Sequence, residues 1–245
     1  MGFYEQISKF YDYIFPVGSS QLDFIRKVSG EPPKEILDVA CGSGGYSLEL
    51  AKYGYHVTAV DADDEMVRLA REKADASGAR INALKCDMRD MEGTLNTVYN
   101  CVFCIGNSLV HLGSLDEITD VLKQMNTLLP PGGALVLQVI NYDRIMKYGV
   151  SELPVIRNED VGLEFVRMYE YLNESGMINF NTVLTVKSGT DTGRFVNTVK
   201  LLPLRSADML EALTDAGYRD IRFYGDFQFS DYNDSSYMLV VKATR

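Results

Sequence analysis

No stretch of this chain approaches the roughly 20 consecutive apolar residues that a membrane-spanning helix needs, and the segment Met1 to Phe15 carries Glu5, Lys9 and Asp12 where a leader would be apolar. These absences predict a cytoplasmic protein with no membrane partner. Basic residues are few: 24 Lys and Arg face 34 Asp and Glu, a formal charge of −10. That sign opposes the phosphate neutralisation behind nonspecific nucleic-acid binding, so no nucleic-acid partner is expected. Cysteine is confined to Cys41, Cys86, Cys101 and Cys104. Cys101 and Cys104 form a CxxC pair, but inside the apolar run VYNCVFCI and with no second Cys or His pair at metal spacing. They read as core residues, and no metal is expected. Internal repeats, low-complexity tracts and linkers rich enough to divide the chain are also missing. The 245 residues, 46% hydrophobic and 24% charged, therefore predict one folded domain over 1–245.

What is present is an alternation. From 35 to 140, short β-branched runs (35–40, 56–60, 81–86, 99–105 and 134–140) alternate with helical patterns, the mark of βαβ units and a parallel sheet. Asp64 to Ala76 places Met66, Leu69, Ala70, Lys73 and Ala74 on one helical face, and Ser114 with Glu117 resembles a capping box for the next helix. Between 160 and 204 the period becomes two, giving three antiparallel strands with turns at Glu174 to Gly176 and Ser188 to Gly193. A helix from Ser206 to Ala216 and strands at 220–225 and 236–243 follow. The fold class is α/β: a Rossmann-like, seven-stranded, mostly parallel sheet over 35–140 and 206–245, with an inserted antiparallel β lid over 160–204.

The chemistry concentrates in Asp38-Val39-Ala40-Cys41-Gly42-Ser43-Gly44-Gly45, which follows the first strand and opens a helix at the carboxyl edge of the sheet, where ligands bind in such folds. Glycines there let the backbone turn and approach a ligand closely. Asp61 ends the next strand about 20 residues on, the position from which a carboxylate accepts hydrogen bonds from two ribose hydroxyls. A dinucleotide site shares both features but requires a third glycine where this chain has Ser47. Asp38 also repels a pyrophosphate and suits a cation. A nicotinamide-dependent oxidoreductase stays as an alternative at this point.

The series DVACGSGG, VDAD and CDMRDM resembles the class I S-adenosylmethionine-dependent methyltransferases. The resemblance implies S-adenosylmethionine as cofactor, the loop at Asp38, Ala40, Gly42 and Gly44 holding its methionine part, and Asp61 binding the ribose. It places Ala62 near ribose and adenine, and Asp87 and Met88 beside the adenine. The aromatic segment Phe3 to Tyr13 would fold over cofactor and acceptor, with Tyr4, Tyr11 and Tyr13 presenting rings or hydroxyls to a sulfonium; of these, Tyr11 is taken as the cofactor contact. A protein that binds the cofactor without turning it over would carry the same motif.

The fourth strand runs into Gly106-Asn107-Ser108-Leu109-Val110-His111, which lacks the Asn-Pro-Pro-Tyr type motif of DNA adenine and protein glutamine methyltransferases. Together with Asn141-Tyr142-Asp143, Pro203-Leu204-Arg205 and Tyr224-Gly225-Asp226-Phe227, it resembles glycine and sarcosine N-methyltransferases. The resemblance implies a small-molecule acceptor, methylated at nitrogen in preference to oxygen, with Asn107 and Ser108 positioning it and His111 orienting it or taking its proton. One departure matters. In those relatives an arginine precedes the Asn-Tyr-Asp triplet and clamps a carboxylate; here the position is Ile140, which cannot replace a charged fork. Arg144 and Arg205 are the substitutes nearest in sequence. The acceptor's identity and the oligomeric state are not legible.

Overall fold

The computed structural model describes residues 7–172, 176–188 and 191–245; Tyr4 and parts of both expected turns, 173–175 and 189–190, lie outside them. In chain order the strands are β1 (Glu35–Val39), β2 (His56–Asp61), β3 (Ile81–Lys85), β4 (Cys101–Cys104), β5 (Ala134–Ile140), β6 (Glu152–Asn158), β7 (Leu163–Leu172), β8 (Met177–Ser188), β9 (Asp191–Leu201), β10 (Arg219–Tyr224) and β11 (Met238–Thr244). Seven of them form one sheet in the order β10-β11-β5-β4-β1-β2-β3, with β11 antiparallel to both of its neighbours. The direction of winding reverses between β1 and β4, and the crevice outside that switch point is where α/β sheets take ligands.

The central strands are near-continuous apolar runs because both faces are covered. On one face the helices Leu115–Thr127 and Ser206–Asp215 bury Ile118, Leu122, Met209 and Leu213 against Leu37, Val102 and Leu137. On the other, the helix Ser19–Ser29 buries Phe24 and Ile25 against Ile36, Phe103 and Val136. Cys101 and Cys104 fall into these opposite cores, so the two thiols of the CxxC pair face away from each other across β4. At the start of helix Leu115–Thr127, Ser114 Oγ accepts from Glu117 N at 3.2 Å, but the Glu117 carboxylate reaches back to Gly113 N at 2.8 Å, one residue before the expected partner.

The insertion is a sheet of four strands, in the order β6-β7-β8-β9, all antiparallel. The sequence pattern predicts only three. The missed strand, β6, is an edge strand containing Pro154, with Leu153 its single buried residue and a register shift before Ile156. It therefore carries no period-two signal. Leu163, Phe165 and Leu184 from this sheet pack on Ile7 and Ile14 of the N-terminal segment, which bridges the two sheets.

Gly44 stands at the start of helix Gly45–Lys52 with φ +77°, and a Cβ there would lie 2.8 Å from Ala70 Cβ and 3.4 Å from its Cα. The left-handed backbone and the neighbouring helix both exclude a side chain. Gly44→Ala is expected to cost about 2 kcal/mol, lowering the thermal midpoint by roughly 5 °C. Thermal denaturation followed by circular dichroism checks this, and an unchanged midpoint would contradict it.

Candidate active site

At the carboxyl end of β1 the chain turns through left-handed backbone, with Ala40 at φ +58° and Gly42 at +56°. Ala40 is strained there, a feature that concentrates at functional sites. Asp61 anchors the loop: its Oδ2 accepts from Gly42 N at 2.8 Å and its Oδ1 from Asp63 N at 3.0 Å, which leaves a second lone pair on each oxygen. Burial pushes the Asp61 carboxyl up, against the pull of those N–H groups.

Asp38 is buried (3% exposed) and accepts from Ser47 Oγ at 2.6 Å. Burial pushes its carboxyl up to about 7 despite that hydrogen bond, and the charge of Asp61 adds to the rise. The acid expected to attract a cation is thus held without one, and the serine that replaces the dinucleotide glycine is its partner.

The N-terminal segment is clasped to this loop. A Cβ on Gly42 would fall 2.4 Å from Tyr11 Oη, so the phenol lies directly over the glycine. Asp12 accepts from Ser43 Oγ at 2.6 Å, and Lys73 joins both, at 2.5 Å from Asp12 and 2.8 Å from Ser43 Oγ. Phe15 packs edge-on against Phe165 of β7, with ring centroids 6.1 Å apart. Tyr13 points away and is 47% exposed.

After β3, Asp87 caps a short helical turn and its carboxylate takes Arg89 Nε at 2.9 Å and Nη2 at 2.6 Å. This pairing with Arg89 holds the Asp87 carboxyl below the usual range. Its role as a cap coexists with a place in the cavity wall, beside Met88 and Ala62.

After β4, Gly106 N donates to Gln138 Oε1 at 2.8 Å. Asn107, at φ +70°, spends both ends of its amide internally: Oδ1 accepts from Ile140 N at 2.9 Å and Nδ2 donates to Tyr142 Oη at 3.2 Å. Ser108 Oγ donates to Ile105 O at 3.3 Å. His111 is open to the cavity, yet the protein around it depresses its pKa by desolvation, so it is neutral at pH 7.

These pieces enclose one cavity of about 590 Å³, within the range of small-ligand sites. All twelve residues singled out from the sequence except Gly44 line it: Tyr11, Asp38, Ala40, Gly42, Asp61, Ala62, Asp87, Met88, Asn107, Ser108 and His111. Gly44 sits behind, shaping the turn. The far wall is the inner face of the four-stranded sheet, where Arg167 and Tyr169 of β7 and Phe180 of β8 face the cavity. Among the described residues no cluster of three or more His, Cys, Asp or Glu could hold a metal ion.

Arg144 and Arg205 are not in the lining. Arg144 lies over the Tyr237 ring at 5.7 Å, and Arg205 pairs with Asp143 at 2.8 Å. The Asn-Tyr-Asp triplet is likewise a structural tie: Asn141 Nδ2 donates to Ser236 O at 2.9 Å, and Asp143 accepts from Ser206 N at 2.8 Å. Among the lining residues that the sequence reading missed, Gln138 and Arg167 stand out. Each is a polar residue at an apolar phase of a strand, a signal present in ALVLQVI and LEFVRMYEYL.

Residues 36–133 match the family model described as a methyltransferase domain. A glycine/sarcosine N-methyltransferase from Aphanothece halophytica is 28% identical over 86% of this chain and 76% of its own length. The fold is that of an S-adenosylmethionine-dependent methyltransferase from Clostridium acetobutylicum, with a TM-score of 0.82, 15% identity and 99% of each chain covered. A sugar N-methyltransferase from a Streptoalloteichus species also superposes, at TM-score 0.72 and 20% identity, covering 97% of this chain and 92% of the other.

Proposed function

We propose that this S-adenosylmethionine-dependent methyltransferase methylates a nitrogen of a small molecule bound between the β4–β5 edge and the four-stranded sheet. The observation that carries this reading is one continuous cavity, which joins the glycine loop and Asp61 at one end to Asn107, Ser108 and His111 at the other. Relatives that methylate nitrogen in small molecules, glycine and sarcosine for one and a sugar for another, support the acceptor class.

The residues present fit the cofactor. Asp61 keeps a free lone pair on each oxygen for two ribose hydroxyls, and buried Asp38 lacks the cation that an amino group would supply. Asp87 retains acceptor capacity beyond Arg89 for an exocyclic amine, while Met88 and Ala62 give apolar contact. When bound, S-adenosylmethionine supplies a methyl group on a sulfonium, open to in-line displacement. Tyr11 covers the loop and excludes water, and its ring offers a π face to a cation. Asn107 is a positioning residue, fixing the backbone that Ser108 and His111 extend into the cavity. A neutral His111 can accept the proton that an amine sheds. With alignment supplied by these walls, proximity provides most of the acceleration.

Asp38 makes cofactor binding a proton-linked event. Because burial raises its folded-state pKa to about 7 from the ordinary 3.8 of an exposed aspartate, the unliganded protein holds a proton there that the unfolded chain does not. The stability this contributes is present at low pH and is lost as pH rises from about 4 to 7. A cation beside Asp38 reverses the preference, so binding at pH 7 releases about half a proton. Titration calorimetry in buffers of different ionisation enthalpy measures this release. Asp38→Asn abolishes it, and heats independent of buffer in the unaltered protein would contradict the assignment.

Turnover is tested by S-adenosylhomocysteine release on addition of a panel of small amines and alcohols. Release with amines supports N-methylation. Cofactor binding with no release for any acceptor would instead favour a non-catalytic binding protein.

A further inference from the structure

The cavity wall contributed by the four-stranded sheet carries a cation with no carboxylate partner among the described residues. On β7 the odd-numbered residues face inward: Leu163, Phe165 and Tyr169 are buried, and Arg167 stands among them at the same phase. An arginine there must recover its desolvation cost, yet its internal partners are poor. Nη2 donates to Pro154 O at 2.7 Å, whereas Nε is buried with no acceptor. No Asp or Glu among the described residues pairs with it, while the other cavity arginine, Arg89, is satisfied by Asp87. Beside it, Tyr169 Oη is buried without a well-formed hydrogen bond, and the Tyr237 phenol also lines the cavity. Burial depresses the Arg167 pKa, as expected of a cation lacking its counter-ion.

We propose that Arg167, flanked by Tyr169 and Tyr237, is the anion subsite of the acceptor pocket, and that the acceptor is an amine carrying a carboxylate. The inference rests on the reading of N-methylation. It places carboxylate recognition on the inserted sheet, whereas Ile140 leaves the end of β5 unable to provide it. A planar guanidinium with spare donors matches a carboxylate fork, and phenols add donors that reach the same oxygens. The charge balance selects a monoanion. A single arginine without a carboxylate partner offsets one added negative charge and not the two of a phosphate monoester.

The test is calorimetric titration of the full chain saturated with S-adenosylhomocysteine. Its probes are glycine, sarcosine, β-alanine and 4-aminobenzoate, the matching carboxamides, and O-phosphoethanolamine. The unaltered protein is expected to bind at least one carboxylate probe at least tenfold more tightly than its carboxamide and than O-phosphoethanolamine. Arg167→Met brings that preference to within twofold, and Arg167→Lys retains part of it. The thermal midpoint of Arg167→Met is expected to hold or rise, because a desolvated charge is replaced by an apolar chain of similar length. A fall in midpoint with the preference intact would make Arg167 structural and overturn the proposal. So would the absence of any carboxylate preference in the unaltered protein, or tighter binding of the phosphate probe. Methyl transfer to the same amines is followed in parallel samples that hold S-adenosylmethionine in place of S-adenosylhomocysteine. Transfer to amines without carboxylate preference removes the subsite and keeps N-methylation; Arg167-dependent carboxylate binding without transfer to any amine does the reverse.

Discussion

Asp61→Asn is expected to weaken S-adenosylmethionine binding by at least about a hundredfold while the protein stays folded. Two effects act together. The carboxylate offers one free lone pair per oxygen to the ribose, and hydrogen bonds to a charged acceptor are worth roughly 1.5 to 3 kcal/mol each. It also accepts Gly42 N at 2.8 Å and Asp63 N at 3.0 Å. An amide presents an NH2 group to one of those N–H donors, so the loop loses an anchor as well as its ligand contacts. A loss of about 2.7 kcal/mol corresponds to the stated change in Kd. Titration calorimetry with S-adenosylmethionine, accompanied by a thermal melt, measures both. An affinity within threefold of the unaltered protein, with a normal melt, would remove Asp61 from the cofactor site.

Asn107→Ala is expected to separate acceptor from cofactor. Its amide is the tie between the end of β4 and the end of β5, through Ile140 N and Tyr142 Oη. Tyr142 is almost fully buried, and burial pushes its phenol up to about 12, so it remains a neutral hydroxyl to receive that hydrogen bond at any working pH. Alanine leaves both partners unsatisfied and also tolerates φ +70° less well than asparagine does. Ser108 and His111 then lose their fixed positions, and a displacement of about 1 Å is enough to cost a hundredfold in rate. The expected outcome is a fall in kcat/KM of about that size, with the Kd for S-adenosylmethionine changed by less than threefold. Equal losses in both would make Asn107 part of the cofactor site, and no loss in either would remove it from the mechanism.

The cofactor half of the site was legible because its demands are local. A turn that needs Gly42 and Gly44, a carboxylate at the end of the next strand and a helix start all lie within 30 residues, so their spacing survives in one dimension. The acceptor half is assembled across the chain. Arg144 and Arg205 are nearest in sequence to the lost arginine at Ile140, yet the Asn-Tyr-Asp tie draws Arg205 onto Asp143 and away from the cavity. Arg167 comes instead from a strand of a separate sheet, and only the topology reveals that the inner face of that sheet closes the pocket. The sign was there for Gln138 and Arg167, which break otherwise apolar phases. Strand β6 failed for the opposite reason: an exposed edge strand imposes almost no pattern on its residues.

The measurement that bears most directly on the central claim is transfer of a deuterated methyl group from S-adenosylmethionine to paired amine and alcohol acceptors of matched size, with the methylated atom assigned by NMR. Label on nitrogen in the amines, with the alcohols untouched, is the predicted result. Label on oxygen in the alcohols, with the amines unchanged, would contradict it.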